Sequence, residues 1–312
     1  MSTPPAEQRP VRILQLSDTH LLGGGRWHRD QVDTTAALER VLSHAASLAH
    51  VDAIVATGDL SDDGSVESYR TLRRMLEAVA AQWDCPVLAT TGNHDDRPVF
   101  ETVFGPADGV TDIRGLRIVR LSTTVAGRGY GALSGAQLDS LAEQLREPSR
   151  RGSMLALHHP PVPARTALLA ALELLEPQSL WDRVTGTDLH TVVAGHFHHA
   201  LVTTVGQVTV AVAPAVANST DVTAPSDRER AVRGSGYAVI DIAANGIATV
   251  LPVRVPAPDD GVELFDLSPA EVARLADEYG LLGAQAALGA QAGPGAQAEL
   301  GAQAGPAAGP SQ

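Results

Sequence analysis

The sequence predicts an α/β fold with a strand-rich second half, and three observations carry that prediction. Apolar runs of strand length alternate with helically spaced segments as far as residue 90. Later in the chain, strand-like runs follow one another more closely. Five short polar motifs each follow a run that reads as a buried strand, which would set them along one edge of a sheet. These are Asp18-Thr19-His20, Gly58-Asp59, Gly92-Asn93-His94-Asp95, His158-His159-Pro160 and Gly195-His196-Phe197-His198.

Val11 to Leu16 alternates and ends at the first motif, as a strand would. Asp33 to Ala49 carries Leu38, Val41, Leu42, Ala45 and Leu48 at helical spacing, with Asp33 placed to cap the helix. Asp52 to Thr57 is a second strand, Val66 to Gln82 a second helix and Pro86 to Thr90 a third strand. In such βαβ units ligands bind beyond the carboxyl ends of the strands, where the first three motifs fall. Leu116 to Leu121 and Met154 to Leu157 read as strands around a helix opening at Ser134, where Ser134 and Gln137 spell a capping box. Ala167 to Leu175 reads as a further apolar helix, and Thr191 to Ala194 as the strand before the Gly195 motif. Val208 to Val212, Tyr237 to Ile242 and Ala248 to Val255 are expected to complete a second sheet. Ser268-Pro269-Ala270-Glu271 starts a helix that Gly280 ends.

The expected organisation is a flexible N-terminus over 1–10, a catalytic domain over 11–265, a C-terminal helix over 266–282 and a low-complexity tail over 283–312. The tail repeats Gly-Ala-Gln-Ala at 283, 289, 295 and 301 and has few large apolar side chains, so disorder is expected rather than a β-helix. A hydrophobic fraction of 44% supports a sizeable core, built on aliphatics because only 4% of residues are aromatic. A net charge of −13 argues against a nucleic-acid-binding surface. Lone Cys85 fits a reducing compartment, and no stretch reads as a signal peptide or membrane span, so a soluble cytoplasmic protein is expected.

The motifs supply metal ligands. Asp18 and His20, two apart on an expected extended segment, can face one cation, and the Asp59 carboxylate can bridge two. Asn93 offers an amide oxygen; His158, His196 and His198 offer imidazoles, the last two again expected on one face. Oxygen and nitrogen donors without thiolate suit Mn, Fe, Zn or Co. Two such ions clamp the attacking and leaving oxygens of an in-line displacement. Two divalent ions less Asp18, Asp59 and a bridging hydroxide leave one positive charge, matching a phosphodiester. His94 follows Asn93 and is expected to contact the phosphate and protonate the leaving alkoxide, with Asp62 holding its ring in preference to Asp63 or Asp95.

Together, and in this order, the five motifs resemble the calcineurin-like metallophosphoesterase superfamily over about residues 11 to 255. Ser17-Asp18-Thr19-His20-Leu21, Gly58-Asp59-Leu60-Ser61-Asp62-Asp63-Gly64, Gly92-Asn93-His94-Asp95-Asp96-Arg97 and Leu157-His158-His159-Pro160-Pro161 are similar to the class III cyclic nucleotide phosphodiesterases, especially the actinobacterial kind. The resemblance implies a four-layer α-β-β-α sandwich of two mixed sheets flanked by helices. It implies Asp18, His20, Asp59 and His198 on one metal and Asp59, Asn93, His158 and His196 on the other, the ions being Fe, Mn or both, with Zn and Co as alternatives. It also implies hydrolysis of 3′,5′-cyclic AMP or GMP, often by a homodimer. The alternatives are 2′,3′-cyclic nucleotides, other diesters or monoesters, and, more remotely, a non-catalytic scaffold. Many relatives carry a His before the glycine in the loop that here reads Gly129-Tyr130-Gly131, so Tyr130 is expected to replace that substrate contact or stack on a base.

Other polar residues have plainer expectations. His159 is structural; His28, His44, His50, His190 and His199 are solvated. The Arg26 to Arg29 loop is expected to be solvated in preference to reaching a dimer partner or the nucleotide. Asn218 serves either a turn or the substrate.

Overall fold

The computed structural model describes residues 9–281, so most of the segments 1–10 and 283–312 lies outside the described residues. The first sheet begins with β1 (Val11–Leu16), β2 (Ala53–Thr57) and β3 (Val87–Thr90), which are parallel neighbours in that order. Between them run α1 (Thr34–Ala45) and α2 (Val66–Ala80), capped by the Asp33 and Ser65 side chains. Next come α3 (Arg97–Phe104), capped by Asp96, and a hairpin of β4 (Gly109–Ile113) and β5 (Leu116–Arg120). The expected capping box opens α4 (Gly135–Gln144), followed by β6 (Ser153–Ala156), α5 (Ala167–Ala171), α6 (Pro177–Val184) and β7 (Leu189–Ala194). The chain continues through β8 (Leu201–Val205), β9 (Val208–Val212), β10 (Ser219–Thr220), β11 (Glu229–Val232), β12 (Ser235–Ile242), β13 (Ala248–Val255) and β14 (Glu263–Leu267). The last described helix, α7 (Pro269–Tyr279), starts at the Ser268–Glu271 capping box and ends at Gly280.

The layers follow from alternation along the strands. Leu14, Leu16, Ile54 and Ala56 face α1 and α2, whereas Val11, Ile13, Ala53 and Val55 face the other way. The second set meets Ile118, Met154, Ala156 and Val193 of the second sheet, β4-β5-β6-β7-β9-β8. That sheet turns Leu155, Val192 and Val210 toward Leu138 and Leu141 of α4 and Leu180 of α6. The result is a four-layer α-β-β-α sandwich.

Two details differ from expectation. Tyr237–Ile242 and Ala248–Val255 do not join the second sheet. β12 pairs antiparallel with β1, from Val11 opposite Ile242 to Gln15 opposite Ala238, and β13 extends the same sheet. The free edge of β1 offers β12, buried at seven of its eight residues, a covered place inside the sheet, while β13, with Leu251 exposed, forms the outer edge. The helix expected to reach Leu175 stops at Ala171, because the following residues pair with the 129–131 loop: Gly131 donates to the Glu173 carbonyl and Leu175 to the Gly131 carbonyl. A small third sheet, β10-β11-β14, lies after the last motif.

Candidate metal centre

All five motifs leave the ends of strands β1, β2, β3, β6 and β7 and are stitched together by backbone hydrogen bonds. Asp18 donates to the Gly58 carbonyl and His20 to that of Asp59, both at 3.0 Å, while Gly195 donates to the His158 carbonyl at 3.0 Å. The motif glycines are required by this crowding. Gly58 has φ 86°, and a Cβ there would sit 2.6 Å from His158 Nδ1; at Gly195 a Cβ would meet Ser17 Oγ at 1.8 Å.

Asp18 and His20 meet in one donor group as expected, but not on an extended segment. Their φ values are 54° and 45°, and Asp59, His196 and His198 also lie in the left-handed region at 49°, 67° and 54°. Each such residue costs on the order of 1–2 kcal/mol. Each strand must turn sharply at its end so that the next amides point inward; the His196 amide donates to Asp18 Oδ1 at 3.0 Å and the His94 amide to Asp59 Oδ1 at 2.9 Å. His196 and His198 also do not share one face. His198 joins Asp18, His20 and Asp59, whereas His196 joins His158 and His159, each group's ligand atoms lying within 4.8 Å of one another.

The first group shows what it can hold. His20 donates from Nδ1 to Asp62 Oδ1 at 3.0 Å, so its Nε2 carries a lone pair. That Nε2 lies 3.2 Å from His198 Nε2 and 3.7 Å from Asp59 Oδ2, and His198 Nε2 lies 3.4 Å from Asp18 Oδ1. In the second group His158 donates from Nδ1 to the Thr57 carbonyl at 2.8 Å, turning the Nε2 lone pair toward Asn93 Oδ1 at 3.2 Å and Asp59 Oδ2 at 3.3 Å. His196 Nε2 is buried with no hydrogen-bond partner. Nitrogen and oxygen donors converging in this way fit cations.

Burial keeps three of the rings uncharged; it opposes charge on His158 too, but Asp59 and Asp18 raise that ring to about 9. Burial holds His196 and His198 well below the usual imidazole range and His20 down at about 4, so these rings stay neutral and able to ligate. Burial pushes the Asp18 carboxyl up, with Asp59 adding to the effect after His158 opposes it. Asp59 lies well below the usual carboxylate range, because His158, His94 and His20 together outweigh its burial.

Asp62 is the hub of the surrounding network. It accepts from Nδ1 of His20, His28 and His94 at 3.0, 2.9 and 3.0 Å, and these bonds outweigh burial to hold its carboxyl far below the usual range. His94 keeps 40% of its side chain exposed at the cavity mouth, its ring fixed by Asp62 through Nδ1. Burial opposes its charge, but Asp59 and Asp62 raise it to about 9. Asp95 does different work. It accepts from the Leu60, Ser61 and Gly92 amides and from the Tyr69 hydroxyl, locking the second motif to the third. Asp63 takes the Gly23 and Ser65 amides and an ion pair from Arg26.

Several plainer expectations change. His28 is buried on Asp62 rather than solvated, since Val32 closes a tight turn onto its backbone, and His199 is buried beside Phe197. His159 has both nitrogens engaged, by the Thr123 hydroxyl at 2.7 Å and the Gly129 carbonyl at 3.1 Å, so it has no lone pair for the cluster. Tyr130 is only 7% exposed and does not line the cavity, so the structure does not bring it to the site. Asn218 does line it. The cavity, of about 120 Å³, also takes in Arg29, Leu168, Leu169, Leu172, Glu229 and Phe265, none of which carries a motif. A groove of about 790 Å³ under Leu138 and Leu180 is larger, but none of the His and Asp groups described above lines it.

The sequence profile of the calcineurin-like phosphoesterase family matches residues 11–200. The chain belongs to this family. Calcineurin-like phosphoesterases use a dinuclear metal centre. This phosphoesterase is 40% identical over 222 residues to a probable cyclic nucleotide phosphodiesterase of Rhodococcus erythropolis, covering 68% of this chain and 73% of the relative. It is 37% identical over 231 residues to a cAMP/cGMP dual specificity phosphodiesterase of Mycobacterium tuberculosis, covering 72% and 73%. Among solved structures, a dimetal phosphatase from Danio rerio superposes with a TM-score of 0.53 at 12% identity, over 78% of this chain and 99% of that one. A purple acid phosphatase from yellow lupin seeds gives 0.54 at 12% identity, over 78% and 51%. At that identity the two structures speak for the fold alone. Among the described residues no helix is long and apolar enough to cross a membrane.

Proposed function

We propose that this phosphoesterase hydrolyses 3′,5′-cyclic nucleotides, cAMP and cGMP, to nucleoside 5′-monophosphates. The observation that carries the reading is the pair of donor groups meeting at Asp59, with His94 beside them at the open face. Asp18, His20, Asp59 and His198 would hold one ion, and Asp59, Asn93, His158 and His196 the other, the ions being Fe, Mn or both. Two such ions would supply Lewis-acid charge and activate water for in-line displacement at phosphorus. The chain's own groups do the rest. Asn93 and His94 line the cavity and contact the phosphate. His94, its Nδ1 anchored to Asp62, presents Nε2 to the departing 3′ oxygen and delivers a proton there as the P–O3′ bond breaks. Asp62 holds the ring in that orientation.

The relatives' names support the substrate class, and the −13 charge of the chain disfavours a polyanionic nucleic acid in its place. Purified protein with Mn, given cyclic nucleotides, linear diesters and monoesters side by side, tests the reading. Cyclic 3′,5′-diesters should be cleaved to 5′-monophosphates; faster turnover of monoesters than of every cyclic diester would overturn it. The homodimer implied by the resemblance is tested by sedimentation of the same sample.

A further inference from the structure

The cavity lining is chemically mixed. Beside the histidines, Asp59 and Asn93 it has the polar Asn218, Thr220 and Glu229 and an apolar set, Leu168, Leu169 and Leu172 from α5 and its C-cap with Phe265 from β14, together with Arg29. A phosphate has no use for a wall of leucines and a phenyl ring. The Arg29 guanidinium lies over the Phe265 ring, its carbon 4.5 Å from the centroid. Stacked arginine and aromatic planes are surfaces on which nucleobases settle.

Aromatic rings are scarce in this chain, and the four phenylalanines are used differently. Phe100 and Phe197 are fully buried, and Phe104 packs against the first core. Phe265 alone among them lines the cavity, seated at its base on a small cluster of Val32, Ala231 and Leu264. Arg29 is itself exposed, on an anchored turn. It follows His28, whose ring is bound to Asp62 and whose backbone is closed by hydrogen bonds with Val32. Asp62 in turn fixes His94, so His28, the residue before Arg29, is joined through two hydrogen bonds to the group at the reacting end.

We propose that the Arg29–Phe265 pair, with Leu168, Leu169 and Leu172, is the seat for the purine base of the nucleotide. The inference rests on the reading of the centre as a nucleotide phosphodiesterase and deepens it by naming what recognises the part of the substrate that does not react. It places base recognition on segments beyond the metal motifs, two of them on α5 and β14. Substrate choice can then change through those segments while the seven ligands stay fixed.

Binding tests this without relying on turnover. Calorimetric titration of the Mn-loaded full chain with AMP and with ribose 5-phosphate, which keeps the phosphate and sugar but lacks the base, gives an affinity ratio that isolates the base. The wild-type ratio is expected to be roughly tenfold or more, in line with one stacked base. In Phe265→Ala it should fall toward one. Phe265→Leu keeps an apolar side chain on Val32, Ala231 and Leu264 and should lose most of the ratio too, which separates the ring face from general packing. Phe265→Trp should hold or raise it. A wild-type ratio near one, or a ratio unchanged in both Phe265→Ala and Phe265→Leu, overturns the seat. Cyclic AMP hydrolysis by a protein with no such ratio removes the seat and leaves the phosphodiesterase reading standing. A Phe265-dependent ratio in a protein inert toward cyclic AMP does the reverse.

Discussion

The two halves of the centre are oriented by different means. On the side of His20 and His198 the orienting group is a side chain: Asp62 fixes the His20 ring and reaches two further imidazoles. On the side of His158 it is the main chain, the Thr57 carbonyl at the end of β2. A carbonyl at a strand end cannot be substituted without moving the sheet, so that half is as rigid as the fold. The Asp62 half can be altered by a single residue, and the same residue also holds His94. On the proposed reading, metal affinity and proton delivery would be coupled on one side of the site and not on the other.

Breaking what both halves share should have the largest effect. Asp59→Ala is expected to remove both ions and all turnover, read by elemental analysis alongside the assay; retention of two ions would mean that the halves do not meet there. Asn93→Ala should abolish turnover while loosening only the His158-side ion, so that one ion survives dialysis. His94→Ala should keep both ions and slow cleavage by about 10²–10⁴-fold, most for poor leaving groups; loss of metal would make it a ligand. Asp62→Asn sharpens the contrast most. It should weaken metal binding on the His20 side by about 10–100-fold, with the His158 side unchanged in a two-site titration. Equal weakening of both sites would erase the difference between them.

The residues that converge here were legible because each closes a buried strand, and strand ends share an edge. Their backbone was not. Period-2 spacing joined Asp18 with His20, which do meet, and His196 with His198, which do not; the rule holds only within a strand, and both pairs sit on left-handed turns just past one. The sheet membership of Tyr237–Ile242 was hidden for another reason. An apolar run shows that a strand is buried, not which neighbour it pairs with, and the open edge of β1 lies more than two hundred residues earlier. His28 gave no signal because an isolated histidine in a polar loop looks solvated until its partner Asp62 is in place. Glu229 and Phe265 lie on short strands of four and five residues, too brief for alternation to show.

The position of β1 also affects how the chain is made. Its first pairing, with β2, is available early, but its other edge waits for Ser235–Ile242. At about 5–20 residues per second a ribosome needs roughly 10–40 s to deliver that partner. Throughout this interval the nascent sheet has an open, apolar margin of the kind that invites pairing between molecules. A product terminated before Ser235 keeps that margin permanently, and light scattering should find it aggregated where the full-length chain stays dispersed.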